Sequence, residues 1–144
     1  MNDTPLAPTP CTDTPPDGFQ PMPSQGFVAH CWLYQHTESG ILGTRIRAEH
    51  LNPLNIAHGG LLATLADTAL GRAIFKQCGA TRPFATVSLS LDYLHPACPG
   101  HWIEAHTTVH KIGQRLSHAS VELRDKQRVI ARGKAIFTAL TPDY

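Results

Sequence analysis

The sequence predicts a single α+β domain in which an antiparallel sheet of about six strands wraps around one long central helix. The first observation is the helix: residues 60–77 are rich in Ala, Leu and Ile, and their apolar side chains cover most of its circumference. A helix that is apolar nearly all round belongs inside a protein. The second observation is the order of elements. Four strands follow the helix, joined by short turns, and they do not alternate with further helices. A chain of 144 residues holds one such core.

The chain before the helix divides into a Pro-rich lead and two short strands. Residues 1–24 contain seven of the twelve prolines, so we expect a flexible segment there and the folded domain at residues 25–144. Residues 27–34 are apolar and aromatic, and residues 41–47 alternate apolar and polar side chains. The turn signal of residues 38–40 lies between these two stretches, which together predict a hairpin.

Four strands are predicted after the helix, which should end near Gly79. They cover residues 85–94, 102–112, 116–124 and 129–140. The first strand alternates cleanly between an apolar and a polar face. The apolar face is expected to hold Val87, Leu89, Leu91 and Tyr93, and the polar face Thr86, Ser88, Ser90 and Asp92.

Composition argues against several classes of function. The formal net charge of +1 gives no electrostatic reason to expect nucleic acid or an anionic membrane as a partner. The four cysteines form no C-x-x-C pair, the N-terminal residues lack the features of a signal peptide, and no apolar run is long enough to span a membrane. We therefore expect a cytoplasmic protein with reduced thiols. Among the nine histidines, His106 and His110 would stand about 13 Å apart along a strand, so no metal site is expected.

Asp67 is unusual because its carboxylate lies in the middle of the apolar helix. Its helical neighbours Ala63, Leu70 and Gly71 cannot pair with it. Burying a carboxylate is unfavourable, and such a group is either held by a neighbouring loop or functional. The backbone N–H of Gly59, eight residues earlier and roughly 12 Å along the axis, would lie at the helix N-terminus, where negative charge is stabilised.

The segment from Asn52 through His58, Gly59 and Gly60 to Asp67 resembles the active-site motif of hotdog-fold acyl-CoA thioesterases. It is most similar to the branch that contains phenylacetyl-CoA and 4-hydroxybenzoyl-CoA thioesterases. Residues 91–96, 111–115 and 121–125 also resemble blocks of that family. The resemblance extends over residues 27–140 and implies the hotdog fold, a curved sheet around one helix.

The resemblance implies a role for each residue of the motif. Asp67 would act as a general base on water or as a nucleophile that forms a mixed anhydride, and the Gly59 N–H would hold the thioester oxygen. His58 and Asn52 would orient the carbonyl group or the water, although either can instead stabilise the loop. A thiolate leaves readily near neutral pH, so no strong general acid is needed.

The family also uses a hydroxyl group from the strand after the helix, supplied by the partner subunit. Thr86 and Ser88 are the two candidates here. Some relatives carry a further hydroxyl one turn beyond the acid, where this chain has Gly71, so that role is not expected here.

Coenzyme A, which is part of the substrate and not a separate cofactor, carries phosphates that need cations. The candidates are Arg82, Lys111, Arg115 and Lys134, and the turn at Gly113 is where the nucleotide is expected. Because hotdog subunits pair edge to edge and build the site across the seam, we expect a homodimer that assembles into a homotetramer.

Two other functions remain open at this point. A hotdog hydratase or dehydratase acting on acyl thioesters would need an acid and base pair, but the chain has no His-Phe-Pro-Gly type loop before the helix. A non-catalytic acyl-CoA-binding or regulatory module would not need Asp67. The sequence does not choose between acyl and aryl substrates.

Overall fold

The computed structural model describes residues 14–141. Its elements are, in chain order, β1 (Phe19–Pro21), β2 (Tyr34–His36), β3 (Leu42–Arg45), α1 (Gly59–Gln77), β4 (Phe84–Tyr93), β5 (Trp102–Ile112), β6 (Leu116–Asp125) and β7 (Arg128–Ala139). The strands form one antiparallel sheet of seven strands in the order β1-β2-β3-β5-β6-β7-β4. The predicted architecture is confirmed, with one strand more than expected.

The segment before α1 differs from its prediction. Residues 27–34 do not form a strand: Gly26–Cys31 is a 3-10 helix, and β2 begins only at Tyr34. The prediction rested on apolar composition without alternation, and Phe27 is in fact 70% exposed. Residues 19–21, placed by the sequence in the flexible lead, pair with β2 as part of the sheet, whereas residues 1–13 lie outside the described residues.

The second predicted strand, residues 41–47, is shorter than expected, because the ladder covers only Leu42–Arg45. The predicted inner-face residues are buried, although Gly43, predicted for the other face, is buried as well, against the Trp102 ring. Leu42, Thr44 and Ile46 are buried, and Thr44 Oγ1 donates to the carbonyl of Trp32 at 2.9 Å, which satisfies the buried hydroxyl.

Helix α1 lies against the inner face of the sheet and begins one residue earlier than predicted. Its buried residues are Leu61, Leu62, Leu65, Ala66, Ala69, Leu70 and Ile74. They pack on inner-face side chains of the long strands, including Ile103, Val121, Leu123 and Phe137. The opposite side of α1 is only partly covered, and Thr64, Asp67 and Thr68 lie on it. The helix is therefore less enclosed than its composition suggested.

Strand β4 forms one edge of the sheet and contains a bulge that the sequence does not show. Thr86 pairs with Phe137 and Ser88 with Ile136, so Val87 has no partner on β7. A bulge shifts the side-chain alternation by one residue. Thr86 therefore faces α1, as Leu89 and Leu91 do. The prediction that Thr86 and Ser88 share a face is wrong for this reason.

The cysteines within residues 14–141, which are Cys31, Cys78 and Cys98, are free. Cys11 lies outside the described residues. Within the same range, no helix combines the length and the hydropathy that crossing a membrane requires.

Candidate active site

His58 organises the start of α1. It is the N-cap residue, and its Nδ1 accepts from the N–H of Gly60 at 2.8 Å. Its carbonyl accepts from the N–H of Leu61 at 3.0 Å and of Leu62 at 3.4 Å. The first four N–H groups of a helix have no partner within it. Here three of them are satisfied by His58, and only the N–H of Gly59 has no acceptor within residues 14–141. The helix start therefore offers one free donor to a ligand.

The capping bond also fixes the tautomer of the neutral His58 ring. Because Nδ1 accepts a hydrogen bond, the proton of the neutral imidazole lies on Nε2. The side chain is exposed, so Nε2–H is available to a ligand as a second donor. In this structure His58 therefore stabilises the loop through Nδ1, and its Nε2–H is free to orient a ligand.

The loop before the helix is held by its own hydrogen bonds. Asn52 Oδ1 accepts from the N–H of Leu54 at 2.9 Å and of Ile56 at 3.4 Å. The His58 N–H donates to the carbonyl of His50 at 2.8 Å. Asn52 therefore has the turn-capping role that the sequence left as an alternative. Its amide NH₂ has no acceptor in the described part of the chain and can still face a ligand.

His50 anchors this loop from inside the protein. The residue is only 5% exposed, and its Nδ1 accepts from the N–H of Arg47 at 3.0 Å. Burial lowers the pKa of His50 below its usual 6.5, against an opposing effect of Glu49. A neutral ring at this position maintains the loop that presents His58.

The carboxylate of Asp67 is held by Thr86. Thr86 Oγ1 donates to Asp67 Oδ1 at 2.6 Å. Asp67 is partly exposed, and no cation pairs with it among residues 14–141. Its second oxygen is therefore available to a water or a substrate. The bulge at Val87 makes this contact possible because it turns Thr86 toward α1.

This contact decides between the two candidate hydroxyls within one chain. Ser88 lies on the outer face of β4, away from α1, while Thr86 reaches Asp67. The resemblance implied a hydroxyl from the partner subunit, whereas the structure forms the contact within a single chain. One helical turn beyond Asp67, a Cβ on Gly71 would lie 3.3 Å from the Phe137 ring. That ring leaves little room for the hydroxyl residue that some relatives carry there.

Tyr93 belongs to the same site, although the sequence marked it only as an apolar-face residue. Its Oη donates to the carbonyl of Gly59 at 2.7 Å. A Cβ on Gly59 would lie 3.3 Å from the Tyr93 ring. Burial raises the pKa of Tyr93 above its usual 10.0, so the phenol keeps its proton at neutral pH. The one signal in the sequence was an aromatic hydroxyl on a predicted apolar face whose other members, Val87, Leu89 and Leu91, are aliphatic.

The residues expected to bind coenzyme A lie away from the start of α1. Arg82 donates to the carbonyls of Gln114 at 2.7 Å and Gly113 at 3.0 Å, so it holds this turn together. Gly113 is required there, because an added Cβ would meet the carbonyl oxygen of Leu116 at 2.3 Å. Lys111 and Arg115 are exposed beside the turn. The turn lies at the Phe84 end of β4, the opposite end from Tyr93.

Lys134 lies on the opposite face of the sheet from Asp67. It pairs with Ser90 and Ser120 on the outer face, while Asp67 lies on the inner side with α1. Within one chain, the structure therefore does not bring Lys134 to the carboxylate.

The site is open to solvent in a single chain. Two cavities, with volumes of about 630 and 540 Å³, lie elsewhere on the protein, and neither is lined by Asp67 or Gly59. Within residues 14–141, no three His, Cys, Asp or Glu side chains are grouped to hold a metal ion.

Comparisons with known proteins show the family of this chain. Residues 54–131 match the model of the thioesterase superfamily. A Pseudomonas aeruginosa protein named as an esterase is 37% identical over 127 residues, which are 85% of this chain and 95% of that protein. Acyl-coenzyme A thioesterase 13 of Mus musculus is 34% identical over 100 residues, 67% of this chain and 70% of the mouse protein.

A solved structure extends the comparison to the fold. The crystal structure of a Bacillus halodurans protein with CoA is similar to this chain with a TM-score of 0.65 and 28% identity, and the match covers 69% of this chain and 66% of the other. The chain therefore belongs to the thioesterase superfamily, has the hotdog fold and is a thioester hydrolase.

Proposed function

We propose that this protein hydrolyses acyl-CoA thioesters to a free acid and coenzyme A. The observation that carries the proposal is the pairing, on one helix, of a free N–H at Gly59 with a carboxylate at Asp67 that Thr86 holds in place. Relatives that are named acyl-CoA thioesterases, or that are bound to CoA, support the same substrate class.

In the proposed reaction, the thioester oxygen accepts the Gly59 N–H at the helix N-terminus of one subunit, and the carboxylate that acts on the same thioester is Asp67 of the partner subunit, because the two groups lie roughly 12 Å apart along one helix. Negative charge that develops on this oxygen is stabilised by the donor and by the helix dipole. The free oxygen of Asp67 takes a proton from water as the hydroxide adds to the carbonyl carbon. The carbon–sulfur bond then breaks, and the thiolate leaves and receives the proton from Asp67. Direct attack by Asp67 through a mixed anhydride uses the same oxygen and remains the second route.

A second copy of the chain is proposed to complete the site. Strand β4 is a ten-residue edge strand that carries both Thr86 and Tyr93. The backbone N–H and C=O groups on its outer edge are unpaired within the described chain. The side chains of Val87 and Tyr93 on this strand are 57% and 51% exposed. An edge of this length without Lys or Pro invites pairing with another strand. We propose a homodimer formed along β4, which encloses the open site beside Asp67, and its further association into a homotetramer.

The phosphates of coenzyme A are proposed to bind near the turn at Gly113. The side chains of Lys111 and Arg115 have no hydrogen bond or ion pair within residues 14–141, so their charges are free for phosphate oxygens. Arg82 acts in this proposal by stabilising the turn.

The proposal is tested by measuring free-thiol release from a panel of short-chain, long-chain and aryl-CoA substrates. We expect at least one class to be hydrolysed with the kinetics of a catalysed reaction, and the preferred class assigns the acyl group. Binding of acyl-CoA without thiol release would instead identify the non-catalytic module. Consumption of an enoyl-CoA or 3-hydroxyacyl-CoA with the thioester intact would identify the hydratase or dehydratase.

A further inference from the structure

We infer that Tyr93 is a positioning residue that holds the Gly59 backbone so that its N–H is presented to the thioester oxygen. The inference rests on the proposed function, since it assigns a task to a side chain beside the proposed oxyanion donor. Tyr93 itself does not touch the reacting atoms.

The peptide group between Gly59 and Gly60 is held at both of its polar ends. Its carbonyl oxygen accepts from Tyr93 Oη at 2.7 Å, and its N–H donates to His58 Nδ1 at 2.8 Å. A peptide group is planar, so two bonds at opposite ends fix the orientation of the whole plane. The Gly59 carbonyl is thus tied to β4, in addition to its place in the helix.

This restraint matters because glycine is the residue with the greatest backbone freedom. Two adjacent glycines open α1, and the preceding peptide group is restrained through the His58 carbonyl, which accepts from the N–H groups of Leu61 and Leu62. Without the Tyr93 bond, only the helix and the His58 cap would aim the Gly59 N–H. A donor contributes to catalysis only when it is fixed at the position of the developing charge.

The Tyr93 ring favours glycine at residue 59. A Cβ at this position would lie 3.3 Å from both Cζ and Oη of Tyr93. The ring therefore lies directly against the Gly59 backbone, and the phenol reaches the carbonyl only because no side chain intervenes. Strand β4 contacts the site twice in this way, through Thr86 at Asp67 and through Tyr93 at Gly59.

The test compares Tyr93→Phe, which keeps the ring and removes the hydroxyl, with Tyr34→Phe as a matched control. Tyr34 is buried on β2, where its ring lies 5.6 Å from that of Trp102. We expect Tyr93→Phe to lower kcat about tenfold, well short of the hundredfold or greater loss on removing an oxyanion donor outright. KM should stay within about twofold, because ground-state binding is not affected. Tyr34→Phe should leave both constants unchanged.

A spectroscopic readout separates this role from general destabilisation. The Gly60 amide nitrogen follows the carbonyl that loses its hydrogen bond, so its ¹⁵N–¹H resonance should move in Tyr93→Phe while resonances of β5 and β6 stay in place. A wild-type kcat or an unmoved Gly60 resonance in Tyr93→Phe would overturn the inference and leave the proposed function standing. If the wild-type protein hydrolyses no member of the thioester panel, the proposed function fails and the inference fails with it.

Discussion

Replacing Thr86 with Val removes the hydroxyl that holds Asp67 and keeps the shape of the side chain. The hydrogen bond is short, 2.6 Å between Oγ1 and Oδ1, and its acceptor is a carboxylate. Hydrogen bonds to charged groups contribute about 1.5–3 kcal/mol. Because Thr86 is exposed and Asp67 partly exposed, the lower end applies, and about 1.5 kcal/mol corresponds to roughly a tenfold change in rate.

We therefore expect Thr86→Val to lower kcat for acyl-CoA hydrolysis about tenfold. The assay is continuous detection of the released thiol under substrate saturation. Ser88→Ala is the matched control, since Ser88 lies two residues away on the outer face of the same strand. A larger loss in Ser88→Ala than in Thr86→Val would refute the reasoning, because it would mean that the residue facing away from α1 in this structure is the one that serves the carboxylate.

Three other outcomes follow from the geometry. Gly59→Ala keeps the backbone N–H but places a Cβ 3.3 Å from the Tyr93 ring, so the ring or the backbone has to shift, and kcat should fall about tenfold with the fold retained by circular dichroism. Wild-type kcat in this variant would contradict the need for a closely held Gly59 backbone. Because burial lowers the pKa of His50 below 6.5, the unfolded chain binds more protons, so stability in urea should fall between about pH 7 and pH 5. His50→Gln should lose less stability over that range, and equal slopes would argue against this assignment. Val87→Lys should shift the protein toward monomer in light scattering, and an unchanged mass would exclude β4 as the interface.

Strong alternation made most of the fold predictable. The bounds of β5, β6 and β7 match the predicted strands to within about one residue, because each carries a period-two pattern over most of its length on a half-buried sheet. Residues 27–34 failed because apolar content without periodicity also suits a 3-10 helix that packs Cys31 and exposes Phe27.

The candidate site was only partly predictable, for reasons that lie in tertiary contacts. Nothing in residues 84–93 marks the bulge at Val87, since the alternation runs through it unbroken, and the bulge alone decides that Thr86 meets Asp67. Tyr93 was missed because a period-two pattern assigns a face and not a hydrogen-bond partner. The capping bonds of His58 and Asn52 were foreseen as alternatives, because both residue types bind nearby backbone groups.

The central proposal, that Asp67 is the catalytic carboxylate, is tested most directly by Asp67→Asn. The amide keeps an oxygen for Thr86 to bind but cannot accept a proton from water, so kcat should fall about a thousandfold. The Kd for a non-hydrolysable acyl-CoA analogue should change by less than about threefold. Asp92→Asn, on the outer face of β4, should retain full activity as the control. Wild-type turnover by Asp67→Asn would contradict the proposed mechanism.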